Sequence, residues 1–362
     1  MRVVVAGDWH SELHEEVVDK AFTSLGHEVH GFKWSPYFSP PGGRRGSLGD
    51  LLRRAQDKYL VGPLIGKLNR DFVDFVKKSK PELLFVYRGT HIDKRSLQRI
   101  RAALPDCVIV GYNNDDPFGP TQRKSLWRRF LKAVPAYDIV FAYRQVNLAE
   151  YRAAGARRVQ LLRSWYVPSR NHPVELTDDA RDRFEADVVF VGHYEPDGRL
   201  ELLEEIVRRG WRLRLFGPSK YWEKPLQSSP VLRHLAPVHM VWGEDYNRAL
   251  CGSKLALCFF SKLNRDTYTR RCFEIPAAAT MMLSEYSDDL ASLFVQGVEA
   301  DYFSSRDEMM AKIDLYLSDD TLRASVAENG HRKVVQSRHD VVSRMEDVLK
   351  CVAQIKAGKE VE

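Results

Sequence analysis

At 362 residues the chain is long for one domain and suits two of about 170 to 190 residues, and its 44% hydrophobic content can supply two cores. No run of about 18 apolar residues occurs, and the opening MRVVVAGDW enters a strand directly without a signal-peptide pattern, so a helical membrane span is excluded and a cytoplasmic protein is expected. The net charge of +6 is uneven, with 29 Lys+Arg against 17 Asp+Glu in residues 1–170 and 26 against 32 in the remainder. The basic half calls for an anionic neighbour, whether a membrane surface, a lipid-phosphate-linked acceptor, an acidic glycan or a nucleic acid.

Residues 2–6 read as a buried strand, 7–10 (GDWH) as the loop leaving it, 13–25 as an amphipathic helix closed by Gly26, and 27–32 as a second strand. This β-α-β opening predicts a parallel sheet, and it lacks the G-x-G-x-x-G of a dinucleotide site. Residues 34–45 are rich in Pro and Gly, and 48–80 form a basic amphipathic stretch that Gly62-Pro63 divides into two helices. Tyr37 and Phe38 beside Arg44, Arg45, Arg53 and Arg54 fit either a membrane-surface contact or a loop and surface helix. Further strands are expected at 83–87, 107–111, 138–142 and 159–162, with helices at 94–103, 126–134 and 147–153.

Polar residues follow several of these strands, where the loops of an open α/β sheet line a crevice. His10 and the pair Asp115-Asp116 are therefore candidates to touch a substrate, with either His10 or Asp116 as base. The alternatives are turn and capping roles for Asp115-Asp116 and a satisfied loop carbonyl for His10.

Residues 171–186 read as a linker between a domain of residues 1–170 and one of residues 187–338, with 339–362 as a terminal helix. A second β-α-β follows: strands at 188–191 and 212–216 flank a helix at 199–209. Gly192 ends the first strand and can let a phosphate approach the backbone. Arg199 fits a donor contact or a surface role. Residues 217–230 are expected as a loop and 238–243 as a short strand. Five cysteines without metal-site spacing read as free thiols, and Cys251, Cys258 and Cys272 as buried ones.

Most of the chemistry gathers between 255 and 285. An apolar strand at 255–260 is followed by a loop bearing Lys262, Arg265, Arg270 and Arg271, a helix at 273–279 and a strand at 281–283. A helix starting after a strand turns its N–H groups and positive end to the sheet's carboxyl edge, so this place suits a diphosphate. Glu274 shares a helix face with Arg270 and Arg271; it can accept two ribose hydroxyls or pair with an arginine. Helices then follow at 288–296, 306–317 and 321–329, the last closed by Gly330.

The run Arg265-Asp266, Tyr268-Thr269, Arg271, Phe273-Glu274-Ile275-Pro276-Ala277, then Phe294, Gly297, Glu299 and Phe303, resembles the CgeB-like branch of the group 1 (family 4-like) glycosyltransferases. The likeness covers residues 187 to about 344 and is looser before that. It implies an α/β fold of GT-B architecture, with two Rossmann-like β/α/β domains facing a central cleft and the terminal helix packing back across both. Glu274 matches the second acid of the family's Glu-x7-Glu motif, which holds the donor ribose; Asp266 stands where the first acid is expected.

The resemblance implies a hexosyl-type glycosyltransferase using a nucleotide-diphosphate sugar such as a UDP-sugar, with retention favoured over inversion and no metal or other cofactor. Donor binding falls to Glu274, Arg271, Arg265, Lys262, Tyr268 and Gly192, with Trp222 or Trp242 on the base. Asp116, His10 and Asp266 are the catalytic candidates. The acceptor would be a glycan, lipid-linked or protein acceptor in envelope, spore-coat or surface polysaccharide synthesis, met in the cytoplasm or at the inner face of an anionic membrane. No nucleic-acid partner is expected, because the positive charge is spread over helices without a binding motif. A non-catalytic GT-B-like binding or scaffold protein and an epimerase or hydrolase of the same fold are the other readings.

Overall fold

The structure is a computed structural model that describes residues 1–39 and 46–360. The chain divides into two compact units, Met1–Arg163 with Val341–Glu362, and Ser164–Asp340. Residues 164–186, expected to end the first domain and link it to the second, belong to the second unit, where part of them forms the helix Asp178–Phe184. The terminal segment belongs to the first unit.

In the first unit β1 (Arg2–Gly7), β2 (Glu28–Lys33), β3 (Leu83–Tyr87), β4 (Val108–Asn113), β5 (Ile139–Ala142) and β6 (Val159–Leu161) form a sheet in the order β2-β1-β3-β4-β5-β6. Every pairing is parallel. Helices cover both faces of such a sheet, so β1 and β3 read as unbroken apolar runs, with Val3 to Ala6 and Leu83 to Val86 wholly buried. The basic stretch forms two helices, Leu48–Tyr59 and Pro63–Ser79, and Gly62 between them takes φ +112, a backbone setting that a side chain resists. The terminal helix Val341–Lys356 packs on the helix Glu15–Ser24, and its Cys351 reaches Gln160 at 2.7 Å.

In the second unit β7 (Ala186–Val191), β8 (Leu213–Phe216), β9 (Ser253–Cys258), β10 (Met281–Glu285) and β11 (Asp301–Phe303) form a parallel sheet in the order β11-β10-β9-β7-β8. Residues 217–230 contain the helix Ser219–Ser228 rather than a loop, and 238–243 hold no strand. Gly330 does not close a helix: it lies inside Asp320–Gln336, where a Cβ would meet the Glu299 carbonyl oxygen at 2.3 Å. Each sheet reverses its strand order once near its middle, between β1 and β3 and between β7 and β9. The carboxyl ends of those strand pairs open the crevice in which α/β sheets hold ligands.

Candidate functional site

The second crevice is built by the ends of β7, β9 and β10 and by the helix Arg271–Ala277 that follows β9. Glu274, 4% exposed, lies inside this helix. The Tyr246 hydroxyl donates to its Oε2 at 2.6 Å, and Arg270 Nε pairs with Oε1 at 3.1 Å. Arg271 donates from Nη2 to the Phe259 carbonyl at 3.2 Å, which anchors the guanidinium at the end of β9. Burial works against its charge, but Cys258, Tyr246, Cys272 and Glu274 around it raise its pKa above the ordinary value. Its Nε is buried without a hydrogen-bond partner.

Cys258 and Cys272 are buried, with Sγ atoms 3.6 Å apart. The hydrogen bond from Cys272 and the Arg271 charge lower the Cys258 pKa against burial. The imidazole of His193, after β7, is pushed down by partial burial first and then by the Arg271 charge. Three of the helix's first amides are already used: Cys272 N–H donates to the Thr269 carbonyl, and Phe273 and Glu274 N–H to that of Arg270. Positive charge at this edge therefore comes more from side chains than from the free amides expected.

The other expected donor residues separate into two groups. Lys262, Arg265 and Asp266 share one turn, in which the Asp266 N–H donates to the Ser261 carbonyl at 2.9 Å. Lys262 Nζ pairs with Glu285 Oε1 at 2.9 Å, and Arg265 takes φ +49, uncommon for a non-glycine residue. Tyr268 and Gly192 hold structure instead. Tyr268 is wholly buried, and its hydroxyl accepts the Ser164 N–H at 3.1 Å. The Gly192 N–H donates to the Phe216 carbonyl, and a Cβ there would meet the Phe190 ring at 2.8 Å, so close packing explains this glycine.

Arg199 is neither on the surface nor open to a ligand. At 3% exposure it grips Asp197 through Nε and Nη2 at 2.8 and 2.6 Å and donates to the His193 and Phe260 carbonyls. It thereby ties the loop after β7 to the end of β9. Trp222 is buried against Phe190 and Tyr194 with its Nε1 on the Gly192 carbonyl, so it does not present a stacking face; Trp242 is half exposed.

In the first unit His10 follows β1, with Nδ1 3.1 Å from Asp8 Oδ2. The hydrogen bond to Asp8 raises the His10 pKa, which burial opposes. Burial likewise opposes the effect of His10 on Asp8, but the pair holds the Asp8 carboxyl below its usual value. Buried Glu15 receives the Asp8 N–H at 2.9 Å and pins the loop. From the end of β3, Arg88 reaches Asp115 at 2.8 Å.

Asp116 does not suit the role of base. It is wholly buried, and its Oδ1 accepts the Phe118 N–H at 3.0 Å and Asn147 Nδ2 at 2.9 Å, which is the turn-capping alternative. Among the described residues no group of three or more His, Cys, Asp or Glu is placed to hold a metal ion.

Residues 199–350 match the family described as Glycosyl transferase-like. Sucrose-phosphate synthase from Thermosynechococcus elongatus superposes with a TM-score of 0.70 at 11% identity, over 99% of this chain and 100% of that one. Anabaena HepE in complex with UDP and glucose gives 0.65 at 13% identity, over 98% and 100%. AviGT4, a glycosyltransferase involved in avilamycin A biosynthesis, gives 0.60 at 15% identity, over 99% and 98%. The fold is GT-B.

No curated protein matches the chain. Within this GT-B fold the Glu274 cluster lies on the second Rossmann-like unit and the Asp8–His10 pair on the first. Sequence reasoning missed Tyr246, because its partner lies 28 residues on and nothing local marks the contact. It also missed His193 and the pairing of Asp8 with His10; for the latter, two polar residues in one post-strand loop were a usable signal.

Proposed function

We propose that the protein is a glycosyltransferase of the kind its CgeB-like residues resemble, moving a hexosyl group from a nucleotide-diphosphate donor to a glycan, lipid-linked or protein acceptor. The observation that carries the reading is the oriented, buried Glu274 beside Arg270 and Arg271 at the strand-order reversal of the second sheet, inside the segment that matches the glycosyl transferase-like family. In this reading Glu274 accepts the ribose hydroxyls. Arg271 and the turn bearing Lys262 and Arg265 face the diphosphate, where fixed positive charge stabilises the leaving group as the glycosidic bond breaks. HepE, of the same fold, holds UDP and glucose, so a UDP-sugar is the donor to try first.

No metal or cofactor enters the proposal, since the guanidinium and ammonium groups supply the charge. With Asp116 committed to capping, the acceptor proton goes to the departing phosphate in a retaining reaction, and the Asp8–His10 pair serves as base only if the reaction inverts. In this reading Asp266, on the same turn as Lys262 and Arg265, faces the donor sugar. The pathway is surface polysaccharide, envelope or spore-coat synthesis, with the protein in the cytoplasm or at the inner face of the membrane. No helix among the described residues is long and apolar enough to cross a membrane.

A thermal-shift screen against UDP, GDP, TDP, CMP and ADP, with and without EDTA, tests the donor site. Stabilisation by one nucleotide that survives EDTA and vanishes in Glu274→Ala supports it; no stabilisation of the folded protein by any of them counts against it. The engagement of Asp116 favours one further reading, a GT-B-like binding protein without catalysis. Sugar transfer to a supplied acceptor rules that out.

A further inference from the structure

The helix Leu48–Tyr59 turns its apolar stripe outward. Leu48, Leu51, Leu52, Ala55 and Tyr59 recur at i, i+3, i+4, i+7 and i+11, the spacing of one helix face, and all are exposed. Leu48 is 74% exposed, Leu51 and Leu52 56% each, and Asp50 is the helix's buried residue. An amphipathic helix of a globular unit ordinarily gives that stripe to the core, and a contiguous exposed apolar patch marks something that covers it.

The surroundings of the stripe are cationic. Arg123 donates to the Lys58 carbonyl at 3.0 Å and Arg129 to that of Leu60 at 2.9 Å, so the end of this helix rests beside the helix Lys124–Ala133. A depression of about 340 Å³ opens there, with Tyr59 and Leu60 in its lining together with Lys94, Arg95, Arg128, Arg129 and Lys132. Asp93 is the acid in that lining, and it is engaged in capping Ser96 N–H at 2.8 Å and pairing with Arg129 at 3.5 Å.

We propose that this surface docks the first unit on an anionic lipid bilayer. The leucine stripe enters the boundary between headgroups and acyl chains, and the basic depression lies over headgroup phosphates. Apolar insertion and attraction to anionic lipid are the two terms that hold an interfacial helix, and here they come from adjoining residues. A second copy of the chain fits the same face poorly, because a two-fold contact brings each basic depression near its own like charge. The docking does not depend on the transferase reading.

Flotation of the purified protein with vesicles of phosphatidylcholine alone, and of phosphatidylcholine mixed equally with phosphatidylglycerol, tests the proposal. The protein is expected to float with the mixed vesicles, to stay behind with the neutral ones, and to be released by salt. Leu51→Ser/Leu52→Ser abolishes flotation, and Arg128→Ala/Lys132→Ala weakens it roughly fivefold per cation removed. Circular dichroism and the nucleotide thermal shift are unchanged in both variants, which separates this outcome from failure of the donor site. The proposal is overturned if the wild type ignores the mixed vesicles, if the leucine variant floats as the wild type does, or if the wild type is a dimer that the leucine variant makes monomeric.

Discussion

The Tyr246 hydroxyl and Arg270 hold opposite oxygens of Glu274, at 2.6 and 3.1 Å, so the carboxylate's orientation is set before any ligand arrives. Burial, then the Glu274 charge, raises the Tyr246 pKa well above its ordinary value, and the phenol stays a donor throughout the neutral range. Tyr246→Phe leaves Oε2 without that donor. The variant is expected to lose about 1–3 kcal/mol of stability. Its nucleotide affinity should fall about tenfold, the equivalent of one such bond. Denaturant titration and calorimetry read the two effects; unchanged affinity in a destabilised protein would leave Tyr246 a packing residue only.

The Asp8–His10 pair predicts a pH dependence with a definite sign. The hydrogen bond to Asp8 raises the His10 pKa above 6.5, so the stability the pair contributes is fully present below that value and is lost as pH rises through the folded-state pKa. Asp8 is shifted the other way, and its contribution is present above its ordinary value of 3.8 and lost in acid. The pair is therefore strongest between those limits. An NMR titration of the His10 ring is expected to show a midpoint above 6.5 that falls in Asp8→Asn. An unmoved midpoint would mean that the two side chains do not interact in solution.

The alternating element pattern was legible because parallel sheets bury both faces of their strands, and such runs stand out. All six strands of the first sheet lie within two residues of their expected limits, and the Gly62-Pro63 break falls between the two expected helices. The helix Ser219–Ser228 was not legible, because Pro225 inside it reads as a breaker, yet it buries Trp222 and Leu226. The cluster around Glu274 was half legible. Arg270, Arg271 and Glu274 are helix neighbours, whereas Tyr246 and His193 arrive from other elements through the parallel pairing of the second sheet. Arg199 was misread because an arginine opening a helix resembles a surface residue until Asp197 and two carbonyls are found around its guanidinium.

Asp116→Ala separates capping from catalysis. The substitution strands the part-buried Phe118 N–H, at about 1–3 kcal/mol, while the Asn147 amide keeps its bond to Glu150 at 2.8 Å. Chemical denaturation should show a loss of about 1–3 kcal/mol on that basis. The rate of sugar transfer per folded molecule is expected to stay within about threefold, less than the roughly hundredfold loss that removal of a general base brings. A stable protein with collapsed activity would return Asp116 to the role of base.

Gly217 and Gly66 make opposite predictions from the same substitution. Gly217 follows β8, and a Cβ there would stand 2.2 Å from the Gly192 carbonyl oxygen and 2.8 Å from Trp222 Nε1. Neither neighbour can yield easily. The Gly192 carbonyl already accepts Trp222 Nε1 at 2.9 Å, while Gly192 N–H is bound to Phe216 and Gly217 N–H to the His239 carbonyl. Gly217→Ala should therefore cost about 1–3 kcal/mol by overpacking and disturb the near-ultraviolet signal of Trp222. Gly66 lies within the helix Pro63–Ser79, where the nearest atom to an added Cβ is the flexible end of Arg70 at 3.6 Å. Gly66→Ala should instead stabilise by up to about 1 kcal/mol, because alanine is the better helix former. Thermal melts of the two variants side by side decide the matter: a neutral Gly217→Ala would mean that the ends of β7 and β8 can part without cost, and the crevice above them would then not be rigid.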